Sequence, residues 1–499
     1  MRQATSEFLR DVARTIARRG DAHASLRRVA ATVWRRRVAL IVPATFRELV
    51  AEAVGGEHVR DDDASRSAYA ADALGQGHLP DLILLPRTAA EISQVARLCT
   101  EHRIPLVVRG AGTGYTGGAV PTHGGVVVSL ERMNRILEID EVNLLAVVEP
   151  HVINGDLQRA VERVGLFYPP DPASLESSSI GGNVAECAGG PRAFKYGTTK
   201  RYVLALEAVL PTGEIVRTGS KAVKNVVGYD LTHLLVGSEG TLAIITQVTL
   251  RLIPKPPVRA TLSAAFPSAT HAVAAVTGLL TRRVVPAAIE LIDHASLRAV
   301  ETHLGRLVAP AGSEAMVIVE CDGMESAVAE ESSLVEAACR EAGATQIRRA
   351  ANEAERDDVW SVRRQLSLAL RATGLLKINH DVVVPRGRVP QLLDAVGDLA
   401  RQFRLRVASF GHAGDGNIHV NLMVDKSDAD ELSRARQAER LLFERVVALE
   451  GSISGEHGIG FAKRPYLSIE LSADQIALMK RVKAAFDPAG ILNPGKIFP

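Results

Sequence analysis

Between Leu82 and Leu130 the apolar positions change period repeatedly. "LILLP" is an unbroken apolar run, "TAAEISQVARLCTEH" spaces Ile92, Val95, Ala96 and Cys99 along one helical face, and "IPLVV" and "VVVSL" are continuous again. The pattern predicts strand, helix, strand, loop and strand. Further strands are expected at 144–148 and 203–210, separated by loop-rich chain. From about residue 259 the segments lengthen, with helices expected near 269–282, 324–342 and 391–404 and strands near 316–320 and 378–384. The three prolines of "RLIPKPPVR" at 251–259 predict a domain boundary there.

Further on, "SFGHAGDGNIHVN" (409–421) sets His412 and His419 either side of a glycine-rich turn, between alternating β-branched stretches. This predicts a hairpin with His419, Asn421 and Met423 on one face and Ile418, Val420 and Leu422 on the other. Gly414, Asp415 and Gly416 are expected to take positive φ and bring the two imidazoles together at a sheet edge. Two histidines at a hairpin are ordinary surface or core groups by themselves. "SISGEHGIG" (452–460) changes the picture, because Glu456 and His457, exposed on a Gly-flanked loop, would supply a carboxylate ligand and a spare base.

Glycine clusters carry the other candidate chemistry. Gly112, Gly114 and Gly117 match G-x-G-x-x-G literally, but Pro121, Gly124 and Gly125 follow at once and then a strand. No helix opens there, so a Rossmann dinucleotide turn is excluded. The five glycines of 109–118 instead suit a backbone nest for phosphate oxygens, with Thr113 and Thr116 adding hydroxyls. Similar runs at 177–197 and 236–246 predict an extended ligand lying across several strand ends.

Composition narrows the class: 46% apolar, 23% charged and 4% aromatic, as in a soluble globular protein of two or three domains. The net charge of +2 is uneven. Residues 1–40 hold ten arginines and three acids, which leaves the remainder at −5. A body of that sign with so few aromatics excludes nucleic acid as a partner. Cys99, Cys187, Cys321 and Cys339 have no framework spacing and fit reduced thiols in the cytoplasm. No apolar run is long enough to span a membrane. Phe8, Val12 and Ile16 stripe the Arg-rich segment 1–40, which suits either a solvated appendage or peripheral contact with an anionic inner-membrane surface.

Seven stretches together, "PLVVRGAGTGYTGGAVP", "YPPDPASLESSSIGGNVAECAGG", "KYGTT", "NVVGYDLTHLLVGSEGTLAIIT", "GHAGDGNIHVN", "SGEHGIG" and "FDPAGILNPGK", resemble in kind and order the FAD-linked 2-hydroxyacid dehydrogenases. That family belongs to the vanillyl-alcohol oxidase (PCMH) type flavoproteins and includes D-lactate dehydrogenases, the glycolate oxidase FAD subunit and D-2-hydroxyglutarate dehydrogenase. The resemblance covers roughly Val42 to Pro499. It implies an α+β fold: a two-part FAD-binding domain at 41–258, an α+β cap with the substrate site at 259–485, and a tail at 486–499 returning to the flavin.

The resemblance also implies roles. Arg109, Gly110, Ala111, Gly112, Thr113, Gly114, Thr116, Gly117 and Gly118 would hold the FAD pyrophosphate. Pro170, Asp171, Ser174, Ile180, Gly181, Gly182 and Asn183 would line the flavin, with Gly189, Gly190, Tyr196 and Gly197 close by. Gly240 and Ile245 would line the adenine side, and Asn493 and Lys496 would return on the tail. His412, His419 and Glu456 match divalent-metal ligands, with zinc the first choice and manganese or iron the alternatives. His457 matches the catalytic base, Asn421 the support of the substrate hydroxyl, and Arg363 and Lys377 the carboxylate anchors, with Ser367 one turn beyond Arg363. No histidine stands in the glycine loop where related flavoproteins attach FAD, so non-covalent FAD is expected.

The expected reaction is oxidation of a small D-2-hydroxy acid, D-lactate or glycolate, to the 2-oxo acid. Hydride would go to flavin N5, and electrons onward to a cytochrome, quinone or electron-transfer flavoprotein. D-2-Hydroxyglutarate is the alternative substrate. A non-redox ether-lipid transferase on the same fold, and a non-catalytic flavin-binding partner subunit, are the other classes considered. A homodimer is left open.

Overall fold

The computed structural model describes residues 42–499, so the Arg-rich segment with its Phe8, Val12 and Ile16 stripe lies outside the described residues. The first sheet has four strands in the order Val59–Arg60, Leu82–Leu84, Val126–Ser129 and Leu106–Arg109, the last three mutually parallel. Helix Ala89–His102 buries the expected stripe of Ile92, Val95, Ala96 and Cys99. Parallel neighbours need a crossover. Between Arg109 and Val126 that crossover is the glycine-rich segment 110–125 and contains no helix, which agrees with exclusion of the Rossmann turn. The C-terminal tail fastens to this sheet: the Leu106 N–H donates to Ile491 O at 2.8 Å and the Asn493 N–H to Leu106 O at 2.6 Å.

The second sheet is antiparallel, in the order Ile136–Asp140, Leu145–Val148, Ile244–Arg251, Val203–Val209 and Ile215–Gly219. Helices Asn154–Glu162 and Ile180–Glu186 pack on it through Leu157, Val161, Ile180 and Val184.

The third sheet has seven antiparallel strands, in the order Gln346–Arg349, Val258–Phe266, Ala315–Gly323, Ala288–Asp293, Arg406–His412, Asn417–Val424 and Leu376–Val383. Helices cover both faces. Ile418 and Val420 join the core beneath Ala269–Thr281, Glu325–Glu341, Val389–Phe403 and Ala429–Ala448. Ala408, Phe410 and Met423 face His294–Leu304 and Glu353–Ala372. Burial on both faces explains the nearly continuous apolar run that opens Ala315–Gly323. Among the described residues no helix is long and apolar enough to cross a membrane.

Candidate active site

Strand alternation builds the site. Antiparallel pairing sets Asp381 opposite His419, Asn379 opposite Asn421 and Lys377 opposite Met423. On the other side, Phe410 pairs with His419, and Glu290 of the next strand pairs with His412. Paired residues share a face, so Lys377, Asn379, Asp381, His419, His412 and Glu290 all point toward helix Glu353–Ala372, which contributes Arg363 and Ser367.

Three sequence expectations are corrected here. The hairpin occupies inner strands of the sheet and not its edge, since Leu376–Val383 lies outside it. Of Gly414, Asp415 and Gly416, only Gly416 has positive φ, at 89°. Gly414 is needed for close approach, because a Cβ there would lie 2.7 Å from the Phe194 ring. Glu456 and His457 are not exposed: their side chains are 14% and 20% accessible.

The loop carrying them is fixed from below by Asp381, which is fully buried. Its Oδ2 accepts the N–H groups of Gly455 (3.1 Å), Glu456 (2.9 Å) and His457 (2.8 Å) and the Ser454 hydroxyl (3.1 Å). Its Oδ1 accepts from Asn417 Nδ2 at 2.7 Å. Burial pushes this carboxyl up, but facing His457, Lys463 and His419 hold it well below the usual carboxylate range. The carboxylate therefore organises the loop as an anion.

Glu456 Oε1 lies 3.6 Å from His412 Nε2, 3.7 Å from His419 Nε2 and 3.8 Å from His457 Nε2. A tetrahedral ion with bonds of about 2.0–2.1 Å separates its ligand atoms by about 3.3–3.4 Å, so this spacing suits one. Among the described residues, Asp381, His419, Glu456 and His457 offer ligand atoms all within 4.8 Å of one another. That group differs from the expected His412, His419 and Glu456. Oδ2 of Asp381 is committed to the loop and Oδ1 to Asn417, however, whereas His412 Nδ1 is bonded to Glu290 Oε1 at 2.5 Å, which leaves its Nε2 free. His419 Nδ1 is buried without a hydrogen-bond partner. Burial and the neighbouring His412 and His457 hold the His419 pKa well below its ordinary value, which keeps the ring neutral. A divalent ion fits this donor set.

Glu290 also pairs with Arg363 Nε. Burial opposes its charge, yet Arg363 and His412 bring its carboxyl down to about 2. The Arg363 guanidinium lies over the Phe410 ring at 4.9 Å. Lys377 Nζ donates to Ser367 Oγ at 2.7 Å, and burial, with Arg371 and Arg363 nearby, brings its pKa down to about 8. Asn421 does not reach the cavity. Its Nδ2 donates to Ala408 O and His419 O, its Oδ1 accepts from Asn379 Nδ2, and Asn379 takes the place on the cavity wall.

Two adjoining cavities, of about 380 and 300 Å³, meet at Glu456 and His457. The first is walled by Gly110, Ala111, Gly112, Thr113, Gly114 and Gly118, by Ser174, Gly181, Gly182, Asn183 and Gly189, and by Gly240 and Ile245. Asp171, Arg363 and Lys377 line the second. The remaining expected cofactor residues stand behind these walls. Arg109 donates to Ala71 O at 2.8 Å, Thr116 Oγ1 to His457 O at 3.1 Å, and Asn493 Nδ2 to Gly118 O and Glu239 O. The Pro170 carbonyl accepts from Asn154 and Gln158, and the Tyr196 hydroxyl donates to Asp322. Ile180 is buried, a Cβ on Gly190 would strike Asp171, and Gly117 and Gly197 turn the chain with φ of 80° and 81°.

Asp72 Oδ2, Asn183 Nδ2 and Glu186 Oε2 are buried at the first cavity without hydrogen-bond partners. A Cβ on Gly114 or Gly240 would meet no atom closer than 3.9 Å. Bare backbone facing an elongated cleft with unpaired polar atoms suits a large polar cofactor such as FAD.

Residues 80–219 match the family described as "FAD binding domain", and residues 255–497 match "FAD linked oxidases, C-terminal domain". The glycolate oxidase subunit GlcD of Bacillus subtilis (strain 168) is 42% identical over 91% of this chain and 96% of its own length. The chain belongs to the FAD-linked 2-hydroxyacid dehydrogenases. A D-lactate dehydrogenase of Anaerostipes hadrus is 38% identical over 84% of the chain and 89% of that protein. p-Cresol methylhydroxylase with substrate bound aligns with a TM-score of 0.75 at 17% identity, over 91% of this chain and 96% of its own. That likeness shows the fold, the PCMH-type FAD-binding α+β architecture. As a member of the family the protein is an FAD-dependent oxidoreductase.

Proposed function

We propose that the protein oxidises a small D-2-hydroxy acid, glycolate or D-lactate, to the 2-oxo acid with FAD and a divalent metal. One observation carries this reading: His412, His419 and His457 converge on Glu456 where the two cavities meet, and Arg363 and Lys377 line the second cavity beside them. In this reading 41–258 hold the flavin, 259–485 carry the substrate site and 486–499 return to the flavin half.

The walls of the first cavity, from Gly110–Gly118, Gly181–Asn183 and Gly240, would hold FAD, which when bound supplies a hydride acceptor at N5. His412 Nε2, His419 and Glu456 would hold the metal, zinc first and manganese or iron otherwise; the ion supplies Lewis-acid polarisation of the substrate hydroxyl. Arg363 and Lys377 anchor the carboxylate by charge-assisted hydrogen bonds. His457 takes the hydroxyl proton at Nε2, while its Nδ1 lies 3.9 Å from Asp381 Oδ2. Glu290 holds both His412 and Arg363 in place. The electron acceptor would be a cytochrome, quinone or electron-transfer protein.

D-2-Hydroxyglutarate is a second reading. It is supported by Arg192, Arg259, Arg356 and Arg364, which line the second cavity beyond the two anchors and offer cations to a second carboxylate. An anaerobic panel of 2-hydroxy acids, followed by bleaching of the flavin absorbance, tests both. Bleaching by glycolate or D-lactate supports the first reading, by D-2-hydroxyglutarate alone the second, and by none removes both.

A further inference from the structure

One aromatic side chain stands where the cavities join. Tyr115 rises from the glycine-rich segment and lines both. Its ring stacks on the His457 imidazole, with centroids 5.4 Å apart and planes at 24°. Arg371 Cζ lies 5.6 Å and Lys377 Nζ 6.0 Å from the ring centroid, and Arg371 Nη2 donates to the Tyr115 hydroxyl at 3.3 Å. A backbone nest for phosphate oxygens has no use for a phenol ring, since it binds through N–H groups.

We propose that Tyr115 is a specificity-determining wall that sets the size of the C2 substituent the enzyme accepts. The inference rests on the reading of the site given above. An acid with its carboxylate at Lys377 and its hydroxyl at His457 has C2 between those two groups, and the Tyr115 ring is stacked on the one and lies 6.0 Å from the other. The ring therefore faces C2, and the substituent occupies whatever room the ring leaves. Hydrogen in glycolate and methyl in D-lactate suit a wall of that bulk, whereas a branched chain meets the ring. Stacking on His457 and the hydrogen bond from Arg371 position the ring.

The test compares holoenzyme of Tyr115→Leu, Tyr115→Phe and Tyr115→Trp with wild type on glycolate, D-lactate and D-2-hydroxyisocaproate, separating kcat from KM. The kcat/KM ratio of the branched acid to glycolate should rise about tenfold or more in Tyr115→Leu, stay within about threefold in Tyr115→Phe and fall in Tyr115→Trp. The Kd values of glyoxylate and 2-oxoisocaproate, read from perturbation of the flavin spectrum, should shift in the same sense. This second readout still reports on the wall if wild type oxidises no acid in the panel, a result that would sink the site reading instead. An unchanged ratio, an equal loss on every acid, or loss of FAD from folded Leu and Trp variants alike would overturn the proposal. If the Leu variant does not fold, the Trp variant decides.

Discussion

Glu456 Oε1 is the point around which three imidazoles gather, and its neighbours separate metal from base at the scale of single residues. His412, His419 and Glu456 are one ligand set in the proposed site, so alanine at any of them should remove bound metal and turnover together. His457→Ala should keep FAD and metal yet lose about 10²–10⁴-fold in rate, as for a missing general base. Metal analysis of the four variants checks this: full metal in His412→Ala, or none in His457→Ala, reverses the assignment. Lys377 adds a pH signature. With its pKa down to about 8, the amine is cationic below that value and neutral above it. KM for the acid should therefore rise as pH climbs through about 8, with kcat less affected. Lys377→Arg should carry that rise out of range, and a flat KM in wild type would remove Lys377 as an anchor. The ligand and base candidates were legible because they sit in short Gly-flanked motifs. The roles of Glu290, Asp381 and Asn379 are not legible in the sequence, because they arise from contacts with residues up to 122 positions away.

At the scale of elements, the hairpin 406–424 was legible from its alternation, whereas its place in the sheet was not. Which strand neighbours which is set by long-range pairing, and a strand buried on both faces carries the same apolar pattern inside or at an edge. Helix Glu353–Ala372 is hard to read from the pattern because its first turns are charged and its buried apolar stripe of Val362, Leu366, Ala369 and Leu370 is narrow. The turn itself gives a test. Gly414 has no positive φ, so Gly414→Ala meets the Phe194 ring and no backbone strain. Overpacking of this kind costs about 1–3 kcal/mol. A lowered Tm that is largely restored in Gly414→Ala/Phe194→Leu would confirm that the ring, and not the backbone, demands glycine. Failure of the second substitution to restore it would point back to the turn.

For the whole molecule, the glycine runs were legible as a cofactor cradle, but not the way distant segments close it. The first cavity takes walls from 110–118, 181–189 and 239–245, and from Arg364, Ser367, Arg371 and Glu456 much later in the chain. None of the expected cofactor motifs lies in residues 1–40, so their removal should leave FAD content and turnover with a soluble dye nearly unchanged, and loss of either would show that the segment supports the body. A ligand held by walls from both halves should also tie them together. Excess free FAD should raise Tm in a concentration-dependent way, by about 2.7 kcal/mol of stabilisation at 100 times its Kd. This requires that the flavin exchange. The glycine loop 109–118 contains no histidine to carry a covalent link, and His457 on the cavity wall is assigned to the hydroxyl proton. Acid precipitation should accordingly leave a colourless pellet and a yellow supernatant containing intact FAD. Colour retained in the pellet would mean a bond between flavin and chain, and Tm would then be indifferent to added FAD, so the two measurements must agree.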